Sequence, residues 1–454
     1  MAGFYVENFG CRATQADGAA VERQFRERGW ARADRPSAAE VVVLNTCTVT
    51  ASADRDARAA IRRIHRENPG CQIVVTGCYA QRAPEEIAAL PGVSQVVGNS
   101  HKHRLAEIVL PKAFVPLKSL SGSQQPAANH QPGLFVSDIF AHTELLAAPV
   151  FDAANERTRP NLKVQDGCNN RCSFCVIPSV RGQSRSLPLQ QVLAEVNTLV
   201  AAGYREVVIS GINLGRWGRD LAPEPPEFEN LIRAILHQTS LQKLRISSVE
   251  PMDWSDQLIQ LMAESPRIAK HAHVPMQSGS DRVLRLMHRK YRPWHYCEKI
   301  EKIRAAMPTA AIGADVMVGF PGETTKDFEE TRRMVEDLPF TYLHVFTYSA
   351  RPGTPAAIMY NQVPANEARR RNQVLREVAA EKKQAFLQSF VGKTIASITL
   401  NVFDGSHTEC LTDNYLRLKL RGQHKANCWL QVRAMKSETD ALMGELAVPA
   451  GSPA

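Results

Sequence analysis

No uncharged apolar run in the sequence approaches the roughly 20 residues needed to span a bilayer, so no membrane association is expected. The opening Met1-Ala2-Gly3-Phe4-Tyr5 has no basic start, apolar stretch or small-residue cleavage site, and no signal peptide is expected either. Both absences point to the cytoplasm. In that reducing compartment, ten cysteines are more often ligands or catalytic groups than disulfides. Charge is not lopsided: 55 Lys and Arg stand against 46 Asp and Glu, giving +9. A polyanionic partner fits such a balance, but so do many proteins that bind no nucleic acid, and charge alone decides nothing. What is plentiful is core material. At 454 residues and 44% hydrophobic, the chain exceeds one ordinary core, and two to four domains are expected.

The densest chemical signal is Gln165-Asp166-Gly167-Cys168-Asn169-Asn170-Arg171-Cys172-Ser173-Phe174-Cys175, with Cys168, Cys172 and Cys175 at C-x3-C-x2-C spacing. Two or three residues between thiolates let one turn of backbone wrap a face of an iron–sulfur cluster. Structural zinc would need a fourth ligand, and no His or Cys follows through Gly182. Three buried free thiols would require neither this spacing nor these polar neighbours. The triplet, with an aromatic just before its last cysteine, resembles the radical S-adenosylmethionine (SAM) superfamily. That resemblance implies a cluster whose open iron chelates the amino and carboxylate groups of SAM, and one-electron cleavage of SAM to a 5′-deoxyadenosyl radical.

Upstream, Phe4–Phe9, Val41–Leu44, Ile73–Thr76 and Val93–Val97 read as strands, with helices over Gln15–Gly29 and Asp54–Glu67. The pattern predicts an open parallel α/β domain, a class that binds ligands beyond the carboxyl ends of its strands. Cys11, Cys47 and Cys78 each fall just past such an end and would converge at one edge. A lone cysteine there is more often a small buried hydrophobe, so the convergence is the argument for a ligand site. Cys71 precedes its strand and reads as structural. Arg55, Arg58, Arg62, Arg63 and Arg66 read as a solvated helix face rather than an RNA contact.

Gly10-Cys11, Asn45-Thr46-Cys47-Thr48-Val49 and Thr76-Gly77-Cys78-Tyr79-Ala80-Gln81, ahead of the triplet, resemble the amino-terminal domain of the methylthiotransferases. The resemblance implies two [4Fe-4S] clusters: an auxiliary one on Cys11, Cys47 and Cys78, and the SAM cluster on Cys168, Cys172 and Cys175. Thr48-Val49-Thr50 and Tyr79-Ala80-Gln81 resemble the branch acting on threonylcarbamoyladenosine in tRNA more than the isopentenyladenosine branch. Ala13-Thr14 stands where the family commonly has an apolar residue and Asn.

Ser119–Pro132 is polar and reads as a linker. Beyond it, helix Leu189–Ala202 and strands at Leu162–Val164, Glu206–Ser210, Lys243–Ser247, His271–Pro275, Ile312–Val318 and Tyr342–Tyr348 form an alternating β/α series. Such a series implies a barrel or partial barrel with function at the carboxyl ends of its strands, and the superfamily's six-stranded partial barrel fits the count. The strand ends offer Gly211, Asn213, Ser248, Glu250, Gln277, Ser278, Asp315, Gly322 and Glu323 as a polar mouth. The segments Arg245–Pro251, Val274–Ser280 and Val318–Thr324 resemble the methylthiotransferase core, which implies that they contact SAM or substrate. Plain alternatives exist: Ser280 and Asp281, or Gly322 and Glu323, could turn into and cap the following helices. Arg181, Arg185, Arg292 and Arg351 would meet RNA phosphate or pair locally with acids such as Glu250 and Asp315. Glu367–Phe390 reads as a long basic helix. The short strands after Lys393 suggest a small antiparallel barrel of RNA-binding type. Val391-Gly392-Lys393-Thr394 and Thr412-Asp413-Asn414-Tyr415 resemble the TRAM domain. Cys297, Cys410 and Cys428 read as packing.

The expected organisation is a methylthiotransferase amino-terminal domain over 1–112, a linker over 113–153, a radical SAM core over 154–386 and a TRAM-like domain over 387–450. The resemblance implies methylthiolation of C2 of N6-threonylcarbamoyladenosine, 3′ of the anticodon in tRNA. One SAM would methylate sulfur at the auxiliary cluster and a second would supply the radical. The implied partners are the tRNA anticodon loop, a reducing electron donor protein and a sulfur source. Isopentenyladenosine or a ribosomal-protein aspartate are alternative substrates, and a non-catalytic, metal-stabilised RNA-binding protein is an alternative of another class.

Overall fold

Val41-Val42-Val43-Leu44 is apolar at every position because its strand, Val41–Thr46, is buried on both faces. Val42 and Leu44 pack with Ile73, Val75, Ala57, Ile61 and Ile64 on one side. Val41 and Val43 pack with Phe4, Val6, Val21, Phe25 and Val74 on the other. Each such side chain, fully buried, contributes about 1.5–3 kcal/mol. The computed structural model describes residues 3–110, 132–142, 145, 158–221 and 223–447, and nearly all of the segment read as a linker lies outside these. Contacts divide the chain into two compact units: residues 1–150 with 166–170 and 175–185, and the remainder.

The first unit is built on a six-stranded parallel sheet ordered Ala31–Arg32, Gly3–Asn8, Val41–Thr46, Gln72–Gly77, Val93–Gly98, Gly133–Phe135. The two edge strands are additions to the expected four, and the last falls within the span 113–153 read as a connector. Helix Ala51–Glu67 starts where Thr50 accepts the Ala53 N–H at 3.2 Å, and it turns Ala57, Ala60, Ile61 and Ile64 inward. Its arginines face outward as expected; Arg58 pairs with Glu86 at 2.8 Å and Arg63 with Glu7 at 2.9 Å.

The second unit carries Asn161–Lys163, Glu206–Ser210 and Lys243–Ile246 as one parallel set, and His271–His273, Ala311–Val318 and Tyr342–Thr347 as another. Bridges Leu244–Ile268 and Ser248–His273 join the two sets into the six-stranded partial barrel. Helices Leu189–Ala201, Phe228–Gln238, Asp256–Glu264, Pro293–Ala306 and Thr325–Asp337 connect them, and Ala365–Gln388 follows. Helix Thr325–Asp337 is capped by Thr324 with Asp327, not by Gly322 or Glu323. Ser280 makes no cap bond; its hydroxyl donates to Asp327 at 2.7 Å.

The carboxyl-terminal strands Thr394–Phe403, His407–Thr412, Arg417–Arg421, Leu442–Leu446 and Trp429–Ser437 close a barrel in that order. One pair, Arg417–Arg421 with Leu442–Leu446, is parallel, so the barrel is not purely antiparallel as expected. Strand His407–Thr412 gives no alternating apolar signal in sequence, yet Cys410 faces the barrel core. The turn that follows it is packed onto the larger barrel. Arg245 donates to the carbonyls of Asp413 and Thr412 at 3.2 and 3.4 Å, lies 5.3 Å from the Tyr415 ring, and pairs with buried Glu206 at 2.7 Å. No helix among the described residues is long and apolar enough to cross a membrane.

Candidate functional site

The register Asn8–Asn45, Asn45–Thr76 and Thr46–Gly77 levels three strand ends. Cys11, Cys47 and Cys78 follow those ends, and the geometry brings them together. Gly10 has φ +96, and a Cβ there would stand 2.5 Å from Cys47 Cβ, so only glycine allows this approach. Gly77, at φ +101 against the Thr46 backbone, plays the same part before Cys78. Burial first, then the neighbouring Cys78 and Cys11, push the Cys47 thiol up to about 11. A thiol so placed resists ionising by itself, and a cationic metal core relieves that resistance. The donor set therefore fits an iron–sulfur cluster.

Beneath these thiols runs a buried polar network that sequence reasoning missed. Arg181 is fully buried and donates to both Asp166 oxygens at 2.9 and 3.1 Å and to Asp17 at 2.9 Å. Burial opposes its charge, but Asp166, Cys78 and Asp17 outweigh it and hold the guanidinium charged. Lys102 completes the network, donating to Asp17 and Asn45 at 3.1 Å each. Thr14, the residue that departs from the family pattern, contacts Cys11 Sγ at 3.5 Å through its hydroxyl and receives Arg181 at 3.4 Å. Asn99 donates to Cys78 Sγ at 3.6 Å and to the Val180 carbonyl at 2.7 Å.

Arg181 is thus no phosphate contact. Arg185, also buried, donates to the carbonyls of His142 and Arg181 at 3.0 and 2.9 Å, and Arg292 pairs with Asp281 at 3.1 Å. Their partners are not Glu250 and Asp315. Arg351 is buried as well.

The second cysteine set sits in its own loop. Cys168 is tied through its N–H to the Gly182 carbonyl at 3.1 Å, and the Asn170 N–H donates to Cys168 Sγ at 3.4 Å. Arg289 donates to Cys172 Sγ at 3.3 Å and to the Glu250 carboxylate. Backbone and guanidinium donors aimed at sulfur suit thiolates that ligate a cluster, and they tune it. Phe174 packs edge-on against Phe320, 6.4 Å between centroids. Arg289 stands just past the end of a helix, where no periodicity or spacing marks it.

The nine mouth residues separate into groups. Ser278 bonds Thr331 at 3.2 Å, the Gly322 N–H donates to the Asn361 carbonyl at 2.8 Å, and buried Glu323 accepts from Gly319 and from Arg371 at 2.9 Å. These three have local structural work. Asn213 donates its N–H to Gln165 Oε1 at 2.7 Å, and Gly211 packs on the same side chain. Gln277 is buried at φ +63 with its side-chain carbonyl unpaired, a strained and unsatisfied position of the kind that clusters at ligand sites. Ser248 bridges to His273, and Asp315 lies 3.3 Å from His273. Cys71 is buried in the first unit's core, and burial pushes the Cys410 thiol up to about 12.

Comparison with known proteins agrees with this layout. Residues 162–335 match the radical SAM superfamily, and residues 3–98 match a model described as uncharacterized protein family UPF0004. A threonylcarbamoyladenosine tRNA methylthiotransferase MtaB of Bacillus subtilis is 36% identical over 93% of this chain and 91% of its own length. Its namesake from Aquifex aeolicus is 34% identical over 92% and 96%. The chain belongs to the radical SAM methylthiotransferases. SAM and iron–sulfur chemistry come with that membership. Other members, such as a tRNA-2-methylthio-N6-dimethylallyladenosine synthase of Thermobifida fusca, are 34% identical over 86% of this chain and 76% of theirs. The radical SAM methyltransferase TsrM of Kitasatospora setae shares the fold at TM-score 0.54 and 15% identity, over 79% of this chain and 74% of that one.

Proposed function

We propose that this methylthiotransferase acts on C2 of N6-threonylcarbamoyladenosine beside the tRNA anticodon. The observation that carries the reading is the 36% identity to the Bacillus subtilis MtaB across nearly the full length of both chains. Within it, Cys168, Cys172 and Cys175 hold the SAM [4Fe-4S] cluster, and Cys11, Cys47 and Cys78 hold a second, auxiliary one. When bound, these clusters would supply the electron that cleaves SAM to a radical able to take an unactivated hydrogen, and would hold the sulfur to be transferred.

The chain's own residues do the positioning. Arg289 holds Cys172 against Glu250, and the Arg181 network holds the shell of the first set. Asn213, Glu250, Gln277, Ser248 and Gly211 are retained as SAM or substrate contacts, together with Ser278, Gly322 and Glu323. The RNA is single-stranded at this position, so its base can splay into the barrel mouth without breaking a helix. The division into 1–112, 113–153, 154–386 and 387–450 belongs to the proposal, as do an external electron donor, a sulfur source and a cytoplasmic location.

Nucleoside mass spectrometry of tRNA from a deletion strain tests the substrate. Loss of 2-methylthio-N6-threonylcarbamoyladenosine with the isopentenyl counterpart retained is expected, and the reverse pattern would overturn the reading. Anaerobic analysis should find about eight irons per chain, against about four for a single cluster.

A further inference from the structure

The sheet of His271–His273, Ala311–Val318 and Tyr342–Thr347 has one apolar and one polar face. Ala272, Val274, Ile312, Ala314 and Val316 alternate onto the apolar face and are fully buried. The register sets Gly313 beside both His273 and Tyr342, and Asp315 beside His344. The polar face therefore gathers His273, Asp315 and His344, whose ligand atoms all lie within 4.8 Å of one another. His273 Nε2 is 3.3 Å from Asp315 Oδ1, yet this buried nitrogen closes no hydrogen bond. Two ligands on a tetrahedral ion with bonds of about 2.1 Å stand about 3.4 Å apart. The pair has the separation of a coordination edge without the direction of a hydrogen bond.

We infer that His273, Asp315 and His344 form a site for a zinc-class divalent cation, separate from both cysteine sets. Two imidazoles and one carboxylate are the ligand set such an ion takes when it keeps a position open for water or an anionic oxygen. His344 is exposed and gives the ion a way in. Tyr342 makes the floor: its ring stacks against His273 at 6.0 Å, and its hydroxyl bonds His271 at 2.6 Å. A Cβ on Gly313 would stand 2.0 Å from that ring, so the glycine is what lets the floor lie flat. Asp315 thereby leaves the SAM-contact group and becomes a metal ligand.

The test uses anaerobically loaded, cluster-filled enzyme dialysed against buffered zinc. About one zinc per chain beyond the cluster iron is expected, with zinc X-ray absorption showing nitrogen and oxygen neighbours, imidazole scattering and no sulfur. His344→Ala and Asp315→Asn should each weaken zinc binding at least about tenfold while iron content stays unchanged. A wild-type protein holding under about a tenth of a zinc, sulfur in the zinc shell, or variants that bind zinc like the wild type would each overturn the inference. If a variant fails to fold, the wild-type stoichiometry and shell still decide the matter.

Discussion

Cys168, Cys172 and Cys175 share one short loop, whereas Cys11, Cys47 and Cys78 come from the ends of three separate strands. The contrast teaches what makes a ligand site legible. Loop spacing encodes the geometry of the first kind locally, because few backbone paths join ligands two or three residues apart. The dispersed kind exists only when parallel strands reach the same height. Its support is correspondingly deep: two close-packed glycines, a buried guanidinium and two carboxylates hold positions that no local spacing could set.

The sharpest break between the two sets is chemical. Cys172→Ala should abolish formation of 5′-deoxyadenosine and leave about four irons, and Cys78→Ala should leave about four irons with SAM cleavage intact. Iron counting and product chromatography on both variants check this, and equal loss of SAM cleavage in the two would merge the sets. Next in size is Arg181→Met. It removes the close partner of buried Asp166, leaves Asp17 to Lys102 alone, and should cost about 3–5 kcal/mol, read by anaerobic denaturant unfolding. Arg181→Lys should rescue it only partly, because one ammonium cannot reproduce the fork.

Gly10→Ala forces a side chain onto Cys47 at positive φ and should cost about 1–3 kcal/mol, with iron lost from the dispersed set alone. Acid probes the second unit. Arg245 and then Arg159 hold buried Glu206 below its ordinary carboxyl value of 4.5, against the opposing effect of burial. The stability it contributes is full above that value and is lost as pH falls through the lower folded value. Unfolding midpoints should therefore drop below about pH 4.5, and in Glu206→Gln that part of the slope should vanish. Smallest is Thr14→Val, expected to cost about 1 kcal/mol and to change the electron paramagnetic signal of the first set only.

Much of the fold was readable because each element's burial follows its period. Both-face burial of Val41–Thr46 appears as an unbroken apolar run, and the inner face of helix Ala51–Glu67 appears at spacings of three and four. Strand His407–Thr412 was not readable. Two of its three inward positions, Thr408 and Thr412, are polar and are satisfied by partners beyond the strand, Thr412 donating to Asn414 Oδ1 at 2.6 Å and accepting the Leu416 N–H at 2.7 Å. The arginines near the mouth illustrate the same limit. Their charge is visible in sequence, but whether it meets phosphate or a buried aspartate depends on which strands are neighbours.

By itself, the sequence determined the elements, the ligand types and the family, since periodicity, spacing and short motifs are local properties of the chain. Tertiary structure alone decided that Thr14 and Arg181 sit under the dispersed thiols, and that Glu323 pairs with Arg371. It also decided that the Asp413–Tyr415 turn packs onto Arg245, and that two histidines and an aspartate share one face. The reason is common to all of these. They are contacts between residues far apart in sequence, and strand order and register, which no local pattern specifies, bring them within reach.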